Sequence, residues 1–262
     1  MSTIVSDISN FIPVLRVNNR NLNTRFYEEN FGFDKIYEES SLAIFQSKKK
    51  DRFILEESPS MRTRAVVGDK KLRRLSFKAK QKDILELIKK INDDSAVFFK
   101  GKKGYAFQML SPEKDLILIH SEDSIDDLEK ISRCDLLGID REDIFFKGIS
   151  KYKASDVEIN VLDVKKSLDF YEKVFSVKAV GNKIELPTVN IHFHEAHGKD
   201  LTVSQDETWD LELLEFTVDE AANLGKRKKY FDKLGINSHI DKAEKTLILE
   251  DESGIELWFM KD

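Results

Sequence analysis

Hydrophobic and polar positions along this chain change period several times, and the same succession of periods occurs twice. Residues 11–17 and 157–161 are short runs rich in β-branched and aromatic residues, the pattern of a strand. Asn19 and Asp163 follow, each where a helix N-cap side chain would accept a backbone N–H. Beyond Asp163, the residues Val164, Leu168, Tyr171 and Phe175 recur at three- and four-residue steps, which is one face of a helix. Leu22 and Phe26 mark the matching face in the first copy. Each helix is followed by short strand-like runs, at residues 35–37, 42–46 and 52–56, and again at 178–180, 183–186 and 190–194.

A second kind of unit follows each of these. Residues 72–79 read as a strand, 82–91 as a helix with Ile84, Leu87, Ile88 and Ile91 inward, and 98–99, 106–110 and 116–120 as strands. The later counterpart is a strand at 213–218, a helix over 219–234, and strands at 239–240, 246–250 and 255–260. Four βαβββ modules in tandem therefore predict an α+β protein of two domains. Modules one and two would form a domain over residues 1–124, and modules three and four a domain over 151–262. Residues 125–150, acidic and mixed, read as a connector with a short helix around 125–131. The duplication is also literal, because Val17/Val161, Phe26/Phe170, Tyr27/Tyr171, Glu28/Glu172 and Phe31/Phe175 are identical in an alignment without gaps.

Composition narrows the class. With 262 residues, 18 Phe and only four Pro, the chain has ample core and no low-complexity linker. A net charge of −5, with both signs mixed throughout, offers no sustained basic face, so nucleic acid is not an expected partner. The short basic runs 48–50 and 226–229 read as solvated loop and helix faces. Cys134 is the single cysteine and fits a reducing compartment. The first 13 residues carry no basic n-region or apolar h-region, and no apolar run approaches the length of a membrane span. The expectation is a cytoplasmic protein without a membrane partner, reaching a cell surface only by a route that needs no signal peptide.

The phrase Leu15-Arg16-Val17-Asn18-Asn19, followed by Phe26-Tyr27 and Phe31-Gly32-Phe33, resembles the opening signature of the glyoxalase/bleomycin-resistance/extradiol-dioxygenase superfamily, the vicinal oxygen chelate proteins. Asn160-Val161-Leu162-Asp163 with Ser167-Leu168-Asp169-Phe170-Tyr171 resembles it again. More narrowly, the whole chain resembles the streptococcal CppA family, whose members are named as proteinases degrading complement component C3. The resemblance implies glyoxalase-like domains with curled, mainly antiparallel sheets and outer helices. It also implies C3 as a partner, and a divalent metal held by His or Gln on a module's first strand and Glu on its last.

Placed on this chain, that metal pattern falls at Ile12, near Arg74 and near Leu118 in the first domain. Hydrocarbon and guanidinium groups cannot donate a lone pair to a metal, so no site is expected there. His120 lies close by, but a lone histidine at a strand end is commonly a surface residue. In the second domain the pattern falls at Asp156, near Leu213 and at Glu256. The densest cluster is His192-Phe193-His194-Glu195-Ala196-His197. On a strand His192 and His194 share a face, and His197 would return from a turn. His192, His194, His197 and Glu256 are thus the candidate metal ligands, and a divalent metal is the one cofactor considered. Two half-exposed histidines on an outer strand, with a third in a loop, would give the same pattern without a metal.

Protease motifs are absent from the sequence. There is no Gly-x-Ser-x-Gly elbow, and His194-Glu195-Ala196-His197 is one residue short of the zinc-protease helix motif. Cys134 sits in no recognisable nucleophile context, so the catalytic residues stay unassigned. Three readings remain open: a C3-degrading proteinase by resemblance, a metal-free binder of a small molecule in a domain cup, and a metal-dependent lyase or dioxygenase using the second domain.

Overall fold

A computed structural model describes residues 4–58, 68–136, 148–149, 151–203 and 207–262. Module one comprises β1 (Ile8–Val17), α1 (Arg20–Phe31), β2 (Lys35–Glu39), β3 (Leu42–Gln46) and β4 (Arg52–Glu57). Module two comprises β5 (Leu72–Ala79), α2 (Gln81–Lys90), β6 (Val97–Lys100), β7 (Tyr105–Leu110) and β8 (Leu116–His120), followed by a short strand β9 (Glu129–Ile131). Module three has β10 (Tyr152–Val161), α3 (Val164–Phe175), β11 (Lys183–Glu185) and β12 (Asn190–Glu195). Module four has β13 (Leu211–Val218), α4 (Leu224–Lys233), β14 (Ser238–Ile240), β15 (Thr246–Glu250) and β16 (Glu256–Lys261).

Three expected elements differ. The run at 178–180 forms only a single bridge from Val180 to Lys183. The expected helix around 125–131 is a 3-10 turn, Ile125–Asp127, leading into β9. α4 starts at Leu224 rather than 219, because the Asn223 side chain accepts the Lys226 N–H and caps it there. Much of the connector, 137–147 and 150, lies outside the described residues. Among the described residues no helix is long and apolar enough to cross a membrane.

The duplicated helices form for the reason the pattern suggests. Asn19 accepts the Leu22 N–H and Asp163 accepts the Lys166 N–H, each satisfying an otherwise orphaned donor. The inward face of α1 is Asn23, Thr24, Tyr27 and Phe31, whereas Leu22 is 52% exposed. Leu22 precedes Asn23 by one position, about 100° around the helix, so the chain's two aromatic anchors outvote it. Gly32 ends α1 with φ +63, and its N–H returns to the Glu28 carbonyl. The duplicated position, Ser176, adopts the same left-handed conformation with a side chain. Glycine is needed at 32 for a further reason: a Cβ there would lie 2.7 Å from the Gly148 backbone.

Two mixed sheets of eight strands result. The first runs β14-β15-β16-β13-β1-β4-β3-β2 and the second β11-β12-β10-β5-β8-β7-β6-β9. Each sheet draws on both halves of the chain. Modules one and four share the first sheet through the antiparallel β1–β13 pair, and modules two and three share the second through β5–β10. Within each module the first strand pairs in parallel with the last, as β1 with β4 and β10 with β12. The opposite edge of each first strand is then free, and it is filled by a first strand from the other half of the chain.

Both sheets share one core. Phe31 of α1 stacks on Phe107 of β7, with centroids 5.4 Å apart, and Phe33 stacks on Tyr152 of β10 at 3.9 Å. Phe175 of α3 meets Phe216 and Phe259 of the first sheet edge-on. The chain halves are therefore interleaved through sheets and core alike.

Polar pairing is concentrated where the sheets meet. The Asp210 carboxylate accepts the backbone N–H of Lys71, Leu72 and Leu211, at 2.6, 2.8 and 2.8 Å, while its own carbonyl accepts Arg16 N–H. Buried Lys70 pairs with Asp115 and donates to the Glu113 carbonyl, and Asn160 donates to the Lys70 carbonyl. Asp210→Ala would leave three buried donors without acceptors. It is expected to lower unfolding free energy by about 3 kcal/mol. Asp210→Asn, which keeps a carbonyl acceptor, should cost less. Urea midpoints of the two variants check this order, and equal midpoints would contradict it.

Candidate functional site

Strand alternation gives each sheet a face turned away from the shared core. In the first sheet that face carries Ile12 and Val14 of β1 and Leu213 of β13, all buried and all apolar. Arg16 and Glu212, neighbours across the same pair of strands, form an ion pair beside them. Ile12, expected in the first domain's site, and Leu213, expected in the second's, thus meet on one sheet and bring no metal-binding atom to it.

The outer face of the second sheet has different chemistry. Leu75, Phe77, Ile117, Ile119, Val157, Ile159, Ile191 and Phe193 point to the core. Their alternate neighbours therefore face outward: Arg74 and Ser76 on β5, Leu118 and His120 on β8, Asp156 and Glu158 on β10, His192 and His194 on β12. Register confirms the gathering, because Asp156 lies opposite Ser76 and Asn190, and Glu158 opposite Arg74 and His192. Although this face is away from the core, Ser76, His120 and Asp156 are no more than 2% exposed. One half of it is covered by the turn after β8: Ile125 and Leu128 pack on Ala106, Leu118 and Phe99.

The uncovered half is a hydrogen-bonded network. His192 Nε2 and Asn190 Nδ2 lie 3.0 and 2.9 Å from the same Asp156 oxygen. His120 Nε2 is 2.8 Å from the Ser155 hydroxyl and 3.8 Å from the other Asp156 oxygen. Arg74 pairs with Glu158 at 2.8 Å, and His194 Nε2 lies 3.6 Å from Glu158. Burial alone would push both carboxyls up. For Asp156 the hydrogen bonds from His192, Asn190 and Ser155 overcome that, and for Glu158 the nearby His194 imidazole and the Arg74 charge do, so both sit below the usual range. Burial drives His120 the other way, down to about 4, with Lys78 and Arg74 assisting and Asp156 opposing.

The four predicted ligands are not one group. His192 and His194 do share the outward face of β12. His197 is 78% exposed in the following loop, 3.7 Å from Glu195, and does not curl back. Glu256 belongs to β16 in the other sheet, where it accepts the Trp258 indole N–H at 2.6 Å. It is separated from the histidines because module four pairs with module one. Sequence reasoning set His120 aside as a surface residue, yet it is 1% exposed. It also missed Ser155, Glu158 and Asn190. The signal for Glu158 was available in the alternation of Asp156, Glu158 and Asn160 with Val157, Ile159 and Val161.

A divalent metal would find three imidazoles and two carboxylates on this face, a suitable donor chemistry. The arrangement does not suit it. Among the described residues no group of three or more His, Cys, Asp or Glu side chains is placed to hold an ion. Asp156 is committed to His192 and Asn190, and the Arg74 guanidinium beside Glu158 opposes further positive charge.

His120 gives the site a pH signature. It is neutral in the folded protein down to about 4, whereas the unfolded chain takes up its proton near 6.5. Stability from this group is therefore full above 6.5 and falls as pH drops towards 4, by on the order of 3 kcal/mol in total. The depressed Asp156 and Glu158 keep their contribution until lower pH. His120→Gln should flatten the fall between pH 6.5 and 4 in urea unfolding. An unchanged slope in the variant would show that His120 is not the group responsible.

The comparisons follow the same lines. Residues 10–131 match the family described as CppA N-terminal, and residues 149–259 match CppA C-terminal. The crystal structure of CppA protein from Streptococcus pneumoniae TIGR4 is 34% identical, with 98% of this chain and 100% of that chain covered and a TM-score of 0.79. Glyoxalase I from Zea mays is similar in fold alone, at 11% identity, 95% and 91% coverage and a TM-score of 0.58. No curated protein matches the chain. The order of strands and helices, the family match over both halves and the full-length similarity agree: the chain belongs to the CppA family and has a glyoxalase-like fold.

Proposed function

We propose that this protein binds a small polar molecule on the outer face of its second sheet without using a metal. One observation carries the reading. Of two sheets built alike, the second buries Asp156 and His120 almost completely on the face away from the core, whereas the Arg16–Glu212 pair and Glu215 on the matching face of the first sheet are only partly buried. Desolvating such groups is costly even when they are hydrogen-bonded, and groups perturbed in this way cluster at sites of recognition or chemistry. His192 and His194, the latter with a side chain 36% exposed, reach solvent at the open side. Together with Arg74 and Gln108 they offer donors and acceptors for a ligand bearing both. Their charged partners behind them, Asp156 and Glu158, fix their orientation.

Titration calorimetry with Zn2+ or Ni2+ is expected to show no stoichiometric binding that depends on His192. Tight one-to-one binding, lost in both His120→Ala and His192→Ala, would replace this reading with a metal-dependent one.

Degradation of complement C3 is a second reading, supported by the family resemblance and by the Ser155–His120 contact at 2.8 Å. A serine within reach of an imidazole is the beginning of a nucleophile and base. The geometry is weaker than that of a working triad, because Asp156 approaches the same Nε2 that faces Ser155. An imidazole titrating at about 4 is also a poor base near neutrality. Purified protein incubated with C3 should leave its chains intact. Cleavage abolished by Ser155→Ala would overturn that expectation and establish the hydrolase.

A further inference from the structure

The basic run at 48–50 reads as a solvated loop by pattern, yet the fold brings Lys49 against lysines from two other modules. A cleft of about 540 Å³ lies between the β3–β4 turn, the end of β5 and the start of β10. Lys49, Lys78, Lys80, Lys151 and Lys153 line it, with Asp51 as the one acidic side chain. Lys78 and Lys153 are directly opposite in the antiparallel β5–β10 register. Like charges in that relation destabilise a sheet, so this pairing is a cost to the fold. Lys78 finds relief in Asp123 at 2.7 Å. Among the described residues, Lys49, Lys80, Lys151 and Lys153 make no ion pair at all.

Two independent features point to an anion. Tyr152, which also lines the cleft, is 3% exposed, and its buried hydroxyl has no hydrogen-bond partner. Such a group left unsatisfied costs stability unless something binds to it. Burial, with Asp34 and Asp51 nearby, pushes its pKa up, so the hydroxyl stays protonated and can donate. In addition, α2 begins here: Lys80 is its N-cap residue, and no side chain caps the first turn. Free N–H groups at the start of a ten-residue helix add to the positive potential.

We propose that this cleft binds a compact anion of phosphate or pyrophosphate chemistry, held by Lys49, Lys80, Lys151 and Lys153 at the mouth and by the Tyr152 hydroxyl from within. The excess of four positive side chains over Asp51 favours a ligand with several negative charges in a small volume. The rest of the surface has mixed charge and the chain is net acidic, at −5, which disfavours a long polyanion. A free oligophosphate and a phosphate ester of a small metabolite share this chemistry.

Calorimetry of the full chain with pyrophosphate, inorganic phosphate and a sugar phosphate tests the assignment and separates these sources. Pyrophosphate should bind one-to-one and more tightly than phosphate, and a sugar phosphate that surpassed it would identify an ester as the ligand. Lys151→Gln/Lys153→Gln should weaken pyrophosphate binding at least about tenfold. Removing like charges relieves repulsion, so that variant should melt no lower than the parent. Tyr152→Phe is the sharper test. It deletes an unsatisfied hydroxyl, so the melting temperature should hold or rise while affinity falls by about three- to tenfold. Absence of saturable binding would overturn the proposal. So would affinity unchanged by Tyr152→Phe, or a preference for single-stranded DNA over pyrophosphate.

Discussion

The structure depends on one carboxylate more than on any other polar group. Asp210 stands at the entry to β13 and gathers the N–H groups of Lys71, Leu72 and Leu211. Residues 71 and 72 open β5, so a single side chain fixes the start of a central strand in each sheet relative to the other. Around it the Asn160 amide donates to the Lys71 carbonyl, and Arg16 N–H donates to that of Asp210. β1, β5, β10 and β13, the four first strands of the four modules, thus converge on one buried junction. The Lys70–Asp115 pair and the Glu113 carboxylate, which accepts from Asn18 and Asn23, extend it to α1. Packing alone holds aromatic rings loosely with respect to rotation, whereas these directional bonds specify one relation of the sheets.

That relation determines what chemistry the fold can present. Pairing β5 with β10 puts Arg74 and His120 from the first half of the chain beside Asp156, His192 and His194 from the second. Neither half alone holds the network. The other cross-pair, β1 with β13, brings together Ile12, Val14 and Leu213, with Arg16, Glu212 and Glu215 beside them and no imidazole. Two surfaces with the same backbone plan each carry an arginine–glutamate pair, but only one of them has imidazoles beside it among the described residues. The lysine cleft has the same origin, since Lys78 and Lys153 become neighbours only through β5–β10.

The candidate site was legible in pieces. His192 and His194 could be placed on one face from their spacing, because side chains alternate on any strand. Asp156 was found by alignment of the modules. What could not be read was company: Glu256 matched a motif and ended in the wrong sheet, while His120 matched none and ended fully buried against Ser155. His197 shows the limit of local reasoning in another way. A turn was foreseen after β12, but the loop runs towards Asp69 and leaves His197 in solvent.

The sequence by itself determined the modules. Period-two and three-residue spacings, the caps at Asn19 and Asp163, and the Tyr27 and Tyr171 anchors are local properties. They built strands and helices close to where the pattern placed them. Only the tertiary structure decided which modules share a sheet. Every first strand offers one free edge of similar apolar character, and backbone hydrogen bonding does not distinguish β1–β13 from a β1–β5 alternative. The pairing that formed is accompanied by contacts between groups remote in sequence, Asp210 with residues 71 and 72, and by the Gly32–Gly148 approach that ties the connector to α1. Because the site is assembled across that choice, its composition was fixed at the same step.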